Sequence, residues 1–264
     1  MEERVMIAAD KYQPSRSFYA KINRRMTQMR QAAPTRIDLD RPILTITFDD
    51  CPQSAFHKGA GVLDKYGVKG GFYIATGLLG RASCMGPMAS AAQVRELVNR
   101  GHEVGAHSHA HFDYACAERE QIEADIQTNV ERLREICQLE RIESFAFPYG
   151  ETSYQAKKSL SNRFTTMRGL LPGINRGTVD RAQLRSFELD GLPDSVANVL
   201  SALDDLHRAP GWMIIFSHDV SEKPSQFGTT PQALEEIIQK AQSLDIDILP
   251  PALAARKAGL VTHA

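Results

Sequence analysis

Residues Pro42–Asp50, with the sequence PILTITFDD, form a short run rich in β-branched side chains that ends in two adjacent carboxylates. Runs of this length and composition predict β-strands. Seven more follow along the chain, and the eight predicted strands are Ile43–Phe48, Gly71–Ala75, Glu103–Ala106, Ser144–Phe147, Phe164–Met167, Leu184–Leu189, Trp212–Ser217 and Ile246–Leu249. The first strand therefore opens a regular series.

Helical patterns lie between most of the predicted strands. Apolar residues recur at helical spacing after Ser90, through Glu118–Cys137 and from about Pro231. Alternation of strand and helix over this length favours a parallel sheet, and about eight repeats without a dinucleotide-binding fingerprint favour a barrel over an open sheet. No G-x-G-x-x-G or Walker pattern follows a predicted strand, so nucleotide chemistry has no support.

The composition of the 264-residue chain is that of an ordinary globular protein, with 42% hydrophobic and 24% charged residues. Its 31 Lys and Arg against 32 Asp and Glu give a formal charge of -1, which argues against a nucleic-acid binder that relies on net charge. No apolar run approaches the roughly 18 residues of a membrane span, and the first residues lack the apolar core of a signal peptide. We therefore expect a leaderless, cytoplasmic protein whose four scattered cysteines are reduced.

The segment from Arg16 to Arg36 differs from the rest, because it carries six basic residues and no acidic one. Its apolar residues recur at steps of four, four and three, which predicts one stripe of a helix that Pro34 ends. We expect a basic amphipathic arm over residues 1–36 and one barrel domain over residues 37–264. Two interpretations of the arm are open: a helix that caps the barrel, or a helix that rests on an anionic membrane surface or a phosphorylated lipid carrier.

Chemically active side chains follow four of the predicted strands, at the edge where barrel enzymes build their active sites. They are Asp49 and Asp50 after the first strand, His107, His109 and His111 after the third, Pro148, Tyr149 and Gly150 after the fourth, and His218 and Asp219 after the seventh. Because the carboxyl ends of parallel strands share one edge, these residues should converge on one rim.

Two of these groups together indicate a metal site. Adjacent carboxylates such as Asp49 and Asp50 repel each other, and a nearby cation removes that conflict. One carboxylate oxygen with two imidazole nitrogens, here from His107 and His111, is a common ligand set for a divalent metal and leaves positions open for water. Each motif alone fits a solvated loop or a helix cap, but their coincidence at matching strand ends favours the metal.

In order along the chain, the motifs Thr47–Asp50 (TFDD), His107–His111 (HSHAH), Phe147–Gly150 (FPYG) and Ile215–Asp219 (IFSHD) resemble those of the polysaccharide deacetylases of the NodB-homology type, carbohydrate esterase family 4. The resemblance covers about residues 42–250, and leaderless exopolysaccharide deacetylases such as the holdfast enzymes of biofilm adhesion are closest in kind. It implies an α/β fold, a distorted (β/α)7-type barrel, so that one of the eight predicted strands is surplus. It also implies a metal-dependent hydrolase that removes N-acetyl groups from amino sugars or O-acetyl groups from some polysaccharides.

The resemblance assigns roles to five residues of the four motifs. Asp50, His107 and His111 match the metal ligands of the family. Asp49 matches the general base, and His218 matches the general acid.

Two further residues match family positions next to the reacting groups, and two more are candidates. Tyr149 matches the residue whose backbone N–H faces the oxyanion, and Ser108 matches the small hydroxyl residue that orients the histidine loop. His109 and Pro148 are candidates for contact with the substrate or for support of the ligands.

The chain also departs from the family pattern. Ala146 stands where many members carry an arginine that contacts the catalytic base. Arg168 and Arg185 are candidates to replace that arginine, although a surface salt bridge is the better interpretation of Arg185. Cys51 replaces the glycine usual after TFDD, and the fourth-motif tryptophan is not evident. Asp190 is a candidate for the carboxylate that orients the acid histidine.

The expected reaction is hydrolysis of the N-acetyl group of a GlcNAc-type amino sugar. A divalent metal polarises the carbonyl and lowers the pKa of its bound water towards about 7, Asp49 accepts the water proton, and protonated His218 delivers a proton to the leaving nitrogen. Zinc is the default ion, and cobalt, manganese, nickel or iron fit the same ligands. Two alternatives stay open: hydrolysis of another amide on the same fold, such as a formamido sugar or a cyclic imide, and a non-catalytic barrel that only binds a glycan.

The expected compartment also restricts the substrate. An enzyme without an export signal meets a bacterial exopolysaccharide as a soluble or lipid-linked precursor at the inner face of the membrane. The segment Arg16–Arg36 suits docking at that surface, so a peripheral membrane contact is a further expectation. We expect no nucleic-acid partner.

Overall fold

The computed structural model of the protein describes residues 26–27 and 29–260. The strands, in chain order, are β1 (Pro34–Ile37), β2 (Ile43–Asp49), β3 (Gly71–Ile74), β4 (Ala82–Ser83), β5 (Gly86–Pro87), β6 (Glu103–Ala106), β7 (Ser144–Ala146), β8 (Thr166–Arg168), β9 (Gly177–Asp180), β10 (Phe187–Glu188), β11 (Trp212–Ser217) and β12 (Asp247–Ile248). Seven of them pair in the order β10–β11–β2–β3–β6–β7–β8, and β12 adds to β2. All pairs in this sheet are parallel. The sheet curls into a half-barrel, which confirms the predicted single-domain α/β fold of distorted-barrel type.

Helices cover the outside of the curled sheet. They are α1 (Ala60–Lys65), which continues a π-helical turn at Ala55–Gly59, α2 (Ala91–Asn99), α3 (Arg119–Cys137), α4 (Tyr154–Leu160), α5 (Pro193–Arg208), α6 (Pro231–Ser243) and α7 (Pro251–Lys257). Ser90 and Gln93 form a capping box that fixes the start of α2, as the sequence predicts. Thr230 caps α6, and Pro231 occupies its first turn, where a missing N–H costs nothing.

Strand β2 forms the centre of the molecule, and every one of its residues is buried. Its two buried threonines have hydrogen-bond partners on neighbouring segments. The hydroxyl of Thr45 accepts a hydrogen bond from Nε1 of Trp212 at 2.8 Å, and the hydroxyl of Thr47 donates to the carbonyl of Ile215 at 2.8 Å. Trp212 is thus a core residue, because its ring is fully buried and its one polar atom is paired.

The segment before the barrel contacts it through a strand pairing and through hydrogen bonds from a buried lysine. Strand β1 pairs antiparallel with β9, so the boundary expected between residues 36 and 37 falls inside β1. The ammonium group of Lys157 is fully buried and donates to the carbonyl oxygens of Thr27 and Arg30 at 2.8 and 2.6 Å. It also lies 2.9 Å from a carboxylate oxygen of Asp180. Residues 16–25 of the predicted arm helix lie outside the described residues.

The structure corrects several element boundaries. The predicted strand Phe164–Met167 is displaced to β8, which places Arg168 at its last position. The predicted strand Leu184–Leu189 is reduced to β10 and one bridge between Leu184 and Arg168. Helix α5 was not predicted, although Val199, Leu203 and Leu206 have helical spacing and are buried.

Candidate active site

Asp50, His107 and His111 come together at the carboxyl ends of β2 and β6. Nε2 of His111 lies 3.1 Å and Nε2 of His107 lies 3.6 Å from Oδ1 of Asp50. All three side chains are buried, and one ligand atom from each lies within 4.8 Å of the others. The prediction that these three residues form one group that could hold a metal ion is confirmed.

The second ring nitrogen of each histidine is held by a hydrogen bond. Nδ1 of His107 lies 2.8 Å from the carbonyl oxygen of Ala146, which can only accept. Nδ1 of His107 therefore carries the proton, and Nε2 offers its lone pair on the side of Asp50. Nδ1 of His111 lies 3.1 Å from the hydroxyl of Tyr149, which also lies 3.3 Å from the carbonyl of His111. Tyr149 thus contacts a predicted ligand through its side chain, a contact that the sequence did not predict.

Helix α3 holds the loop that carries the histidines. Oδ2 of Asp125 accepts hydrogen bonds from the hydroxyl of Ser108 at 2.7 Å and from the backbone N–H of His109 at 2.9 Å. Nδ2 of Asn129 donates to the carbonyl of Ser108 at 2.7 Å. The hydroxyl of Ser108 in turn accepts from the backbone N–H of His111 at 3.0 Å. Ser108 therefore links the ligand loop to the helix.

The sequence analysis missed Asp125 and Asn129. Both are buried on the face of α3 that also buries Ile122, Ile126 and Leu133. A polar residue on the apolar face of a helix needs a hydrogen-bond partner in the interior. The positions of Asp125 and Asn129 in the helical pattern therefore indicate buried polar contacts, which the loop motif alone does not.

Asp49 and Arg168 form a buried ion pair beside the metal-ligand group. A guanidinium nitrogen of Arg168 contacts Oδ2 of Asp49, and both side chains are at least 95% buried. The guanidinium carbon lies 4.6 Å from the ring centre of Phe216 and 5.5 Å from that of Tyr73. In the register of β7 and β8, Arg168 is the direct partner of Ala146. The arginine is thus one strand away from the family position, and its charge reaches the carboxylate.

The environment of Asp49 keeps it ionised. Burial opposes ionisation, but the charge of Arg168, followed by those of His107 and His218, outweighs burial and lowers the pKa of Asp49. Burial lowers the pKa of His107 to about 4, so its imidazole is neutral at pH 7, as a metal ligand must be. Oδ1 of Asp49 is buried and has no hydrogen-bond partner among the described residues. This oxygen is available to accept a proton.

His218 lies beside Asp49 at the same edge of the sheet. The register of β11 and β2 pairs Ser217 with Phe48, so the next residues of the two strands are neighbours. Nδ1 of His218 lies 3.2 Å from the carbonyl of Phe227, which holds that nitrogen as the donor. The sequence analysis did not single out Phe227, because the residue lies in a loop and its contact is made through the backbone.

The other predicted residues lie around this centre. Oδ1 of Asp190 accepts from the backbone N–H of Leu192 at 3.1 Å, so this carboxylate holds the turn before α5. Nδ1 of His109 lies 2.9 Å from the hydroxyl of Thr76, and Pro148 is buried at the start of a short 3-10 turn. Arg185 donates to the carbonyl of Pro172 on the surface.

The backbone bends sharply at the candidate site. Among the described residues, seven other than glycine have a positive φ, and five of them belong to the site motifs: Asp50, Cys51, Ser108, His111 and Tyr149. Left-handed backbone costs free energy for residues with a side chain, so such residues persist only where the surrounding structure enforces them. The bend at Asp50 turns its carboxylate from the strand towards the histidine loop.

The residues present fit a divalent metal ion. The donor set is one carboxylate oxygen and two imidazole nitrogens, each imidazole with its other nitrogen held by a partner. This combination suits zinc and its neighbours among the transition metals better than calcium or magnesium, which prefer oxygen ligands alone.

The fold matches solved structures of carbohydrate esterase family 4 over most of the chain. A family 4 acetyl xylan esterase from Clostridium thermocellum, in complex with a cobalt ion, is 23% identical, with a TM-score of 0.60 over 83% of this chain and 93% of that one. A peptidoglycan N-acetylglucosamine deacetylase is 19% identical, with a TM-score of 0.60 over 83% of this chain and 90% of that one. A family 4 pseudoenzyme from Bacillus anthracis is 14% identical, with a TM-score of 0.57 over 83% of this chain and 66% of that one.

The sequence itself matches a known domain. Residues 36–165 match the family model described as polysaccharide deacetylase. This span is just under half of the chain, and the fold shared with the solved structures extends over most of its length. No curated protein matches the chain. Among the described helices, none is both long enough and apolar enough to cross a membrane.

Proposed function

We propose that this protein is a metal-dependent deacetylase that removes N-acetyl groups from GlcNAc-type sugars of a bacterial exopolysaccharide or its lipid-linked precursor. The observation that carries the proposal is the arrangement around Asp49. Asp49 is a buried carboxylate between the Asp-His-His group and His218: one oxygen contacts Arg168, and the other has no hydrogen-bond partner within the described part of the chain. A base, an acid and a ligand set thus share one edge of the sheet.

Asp50, His107 and His111 are the residues that would hold the metal, and zinc is the ion we propose. When bound, a divalent ion supplies Lewis-acid polarisation of the amide carbonyl and eases deprotonation of water. The protein's own part is to turn both histidines with Nε2 inwards, which the carbonyl of Ala146 and the hydroxyl of Tyr149 do. Burial keeps His107 neutral by lowering its pKa to about 4.

Proton transfer is the work of Asp49 and His218. Oδ1 of Asp49 accepts a proton from the attacking water, while Arg168 holds Oδ2 and keeps the carboxylate ionised. Nδ1 of His218 donates to Phe227, so its Nε2 is the atom that delivers a proton to the leaving nitrogen. A deprotonated base and a protonated acid together give a bell-shaped dependence of rate on pH.

The turn at Tyr149 is the proposed site of oxyanion stabilisation. Tyr149 has a φ of 57° in the turn after β7, next to the ligand His111. We propose that the backbone N–H of Tyr149 donates to the carbonyl oxygen as negative charge develops there, since fixed donors aimed at such charge lower the barrier. Pro148 restricts the start of this turn. The histidine loop is held by the backbone N–H of His109, which donates to Asp125, and by the hydroxyl of Ser108, which accepts from the N–H of His111.

Release of acetate from an N-acetylated sugar distinguishes the proposal from its alternatives. The experiment measures acetate released from chitotetraose by metal-stripped protein, with and without zinc. Asp49→Asn should lower kcat by about 10^2 to 10^4, because the proton acceptor is lost. Asp50→Ala should lose tight zinc binding as well. Asp38→Asn, at an exposed aspartate after β1, is the matched control and should behave as wild type.

Each failure has its own meaning. Zinc binding without acetate release would contradict N-acetyl hydrolysis and favour another amide, such as a formamido sugar. Oligosaccharide binding with no hydrolysis of any amide would favour the non-catalytic alternative. Absence of zinc binding would overturn the metal-dependent mechanism.

We also propose that the basic arm brings the enzyme to the inner face of the membrane. Deleting the arm is a poor test, because Thr27, Arg30 and strand β1 belong to the folded structure. The full chain with Arg24→Gln and Arg25→Gln should pellet less with anionic vesicles than wild type, since each lost charge removes about 1 kcal/mol near such a surface. Arg132→Gln, an exposed arginine on α3, is the control. Equal pelleting of all three proteins would contradict the docking role.

A further inference from the structure

Three exposed apolar side chains surround one side of the candidate active site. Among the described residues, the large hydrophobic side chains that remain exposed are Met26, Met29, Leu170, Leu192, Phe227 and Leu253. The loops that follow β8, β10 and β11 carry Leu170, Leu192 and Phe227, respectively. Exposed apolar residues gathered at one place mark a binding surface, whereas scattered ones do not.

Contacts between the loops join these residues into one arc. Leu170 packs so closely on Gly150 that a Cβ there would lie 2.1 Å from its Cγ. Gly191, directly before Leu192, lies against the backbone of Gly228, where a Cβ would lie 3.1 Å from the carbonyl oxygen. The hydroxyl of Ser186, directly before β10, donates to the carbonyl of Gly169 at 2.7 Å and so joins the loop of Leu170 to the segment that leads to Leu192. The arc therefore runs from the turn at Tyr149 and Gly150 to the loop of Phe227.

Phe227 contacts the proposed acid directly. Its ring centre lies 5.7 Å from that of His218, and the side chain is 36% exposed. Its loop is fixed by Asp219, which accepts from the backbone N–H of Ser225 at 2.9 Å through Oδ2. The hydroxyl of Ser225 accepts from the N–H of Phe227 at 3.2 Å. An exposed aromatic ring held rigidly beside the acid loses little conformational freedom when it binds a ligand.

We propose that Phe227 is the platform of a sugar subsite next to His218, with Glu188 as the carboxylate at its edge. This inference rests on the proposed function, since the nitrogen that receives the proton of His218 belongs to a sugar. The C–H face of a pyranose ring is apolar and packs on an aromatic face, while its hydroxyl and amine groups donate to carboxylates. Glu188 is the register partner of Phe216, two residues before His218.

Charge favours a sugar over a lipid surface at this arc. Between Phe187 and Ser195 the chain carries three carboxylates, Glu188, Asp190 and Asp194, and no basic residue. An anionic membrane would be repelled, whereas a neutral N-acetylated sugar or a cationic amine product would not. The occupant we assign is therefore an amino-sugar unit of the substrate.

The test is binding of chitotetraose to zinc-loaded protein with Asp49→Asn as the parent, so that turnover is slow compared with the binding measurement. Phe227→Ala should raise the Kd by about tenfold, as loss of a contact of about 1.4 kcal/mol implies. Phe227→Trp should restore most of the affinity. Glu188→Gln should raise the Kd by about threefold. Leu253→Ala on α7 and Glu140→Gln after α3 are the matched exposed controls and should leave the Kd unchanged.

A second readout separates a platform from a structural role. In the enzyme with Asp49 intact, Phe227→Ala should raise KM more than it lowers kcat. A lower kcat with an altered pH profile and an unchanged KM would show that the residue only positions His218, and would overturn the subsite.

The remaining outcomes are also decisive. Parent binding that Phe227→Ala leaves unchanged would overturn this inference alone. No binding by the parent would overturn it together with the proposed substrate class. Vesicle binding that depends on Phe227 while the chitotetraose Kd does not would replace the sugar with a lipid surface.

Discussion

Two regions of the molecule bury charged side chains, and they differ in how completely those side chains are hydrogen-bonded. In the Lys157 pocket, the ammonium group has four acceptors, namely the carbonyl oxygens of Thr27 and Arg30 and the side chains of Asp180 and Gln183. At the candidate active site, Asp49 and Arg168 are paired, yet Oδ1 of Asp49 and Nε of Arg168 have no hydrogen-bond partner among the described residues. Complete pairing is typical of a structural site, and an incomplete one leaves room for substrate and water.

Backbone geometry shows the same contrast. Seven described residues other than glycine have a positive φ. Five of them lie at the candidate active site, and none lies in the Lys157 pocket. Backbone strain and buried polar atoms without a partner thus occur together at the candidate active site, as is typical of functional sites. The comparison predicts distinct effects of substitutions in the two regions.

The largest effect on stability is expected in the Lys157 pocket. Lys157→Met leaves Asp180 buried beside two carbonyl oxygens without a cation, which should lower the free energy of unfolding by about 3–5 kcal/mol. The measurement is denaturant unfolding of the full chain. Lys158→Met, one residue away and exposed, is the control and should change stability by less than about 0.5 kcal/mol. Equal stability of the two variants would remove the contrast between the regions.

Arg168→Met should instead act mainly on catalysis. Without the guanidinium, the pKa of Asp49 rises, so the acid limb of the pH–rate profile moves to higher pH and kcat falls by about 10^2. Because Ala146 and Arg168 are register partners, the double variant Ala146→Arg, Arg168→Ala should recover part of that loss. Arg185→Met, on the surface, is the control. An unshifted profile would show that Arg168 does not tune the base.

A smaller effect is expected from Glu103, at the opposite ends of the strands. Burial raises the pKa of Glu103 to about 7, although Ala252 and Ser144 donate hydrogen bonds to its carboxyl group. The folded state therefore binds more protons than the unfolded state between about pH 4.5 and pH 7, and stability from this group is lost as the pH rises through that window. Glu103→Gln should reduce the fall in the free energy of unfolding between pH 4.5 and pH 7 by about 1–3 kcal/mol.

The check on Glu103 is the difference in unfolding free energy between variant and wild type across that window. Glu96→Gln, exposed on α2, is the control. A constant difference from pH 4.5 to pH 7 would contradict the raised pKa.

The smallest effect is expected from Cys51→Gly, at a fully buried residue with a φ of 58°. Cys51→Gly relieves the left-handed strain but removes a buried side chain, and the two terms of about 1 kcal/mol each nearly cancel. Cys51→Val should destabilise clearly, because a β-branched residue is an outlier at positive φ. Thermal unfolding of both variants measures this. A large loss in the glycine variant would show that the thiol packing outweighs the strain.

The sequence predicted the reactive groups better than their supports. Asp50, His107 and His111 are recognisable because each follows a strand end, and parallel strands bring their ends to one edge. Asp125 and Phe227 lie outside the strand-end motifs and act through hydrogen bonds to residues of those motifs, so the motifs do not point to them. The one signal for Asp125 is its polar side chain on the apolar face of α3. The reduction of the sixth predicted strand to β10 has a similar cause, because pairing with β11 rather than composition decides where that strand begins.

The register of β7 and β8 has a consequence for how such proteins are recognised. Positions 146 and 168 occupy neighbouring places on one face of the sheet, so exchanging a small residue and an arginine between them keeps the guanidinium near the same carboxylate. A pattern read along one strand scores Ala146 as a loss of function. A pattern read across the paired strands scores it as an exchange of positions between β7 and β8.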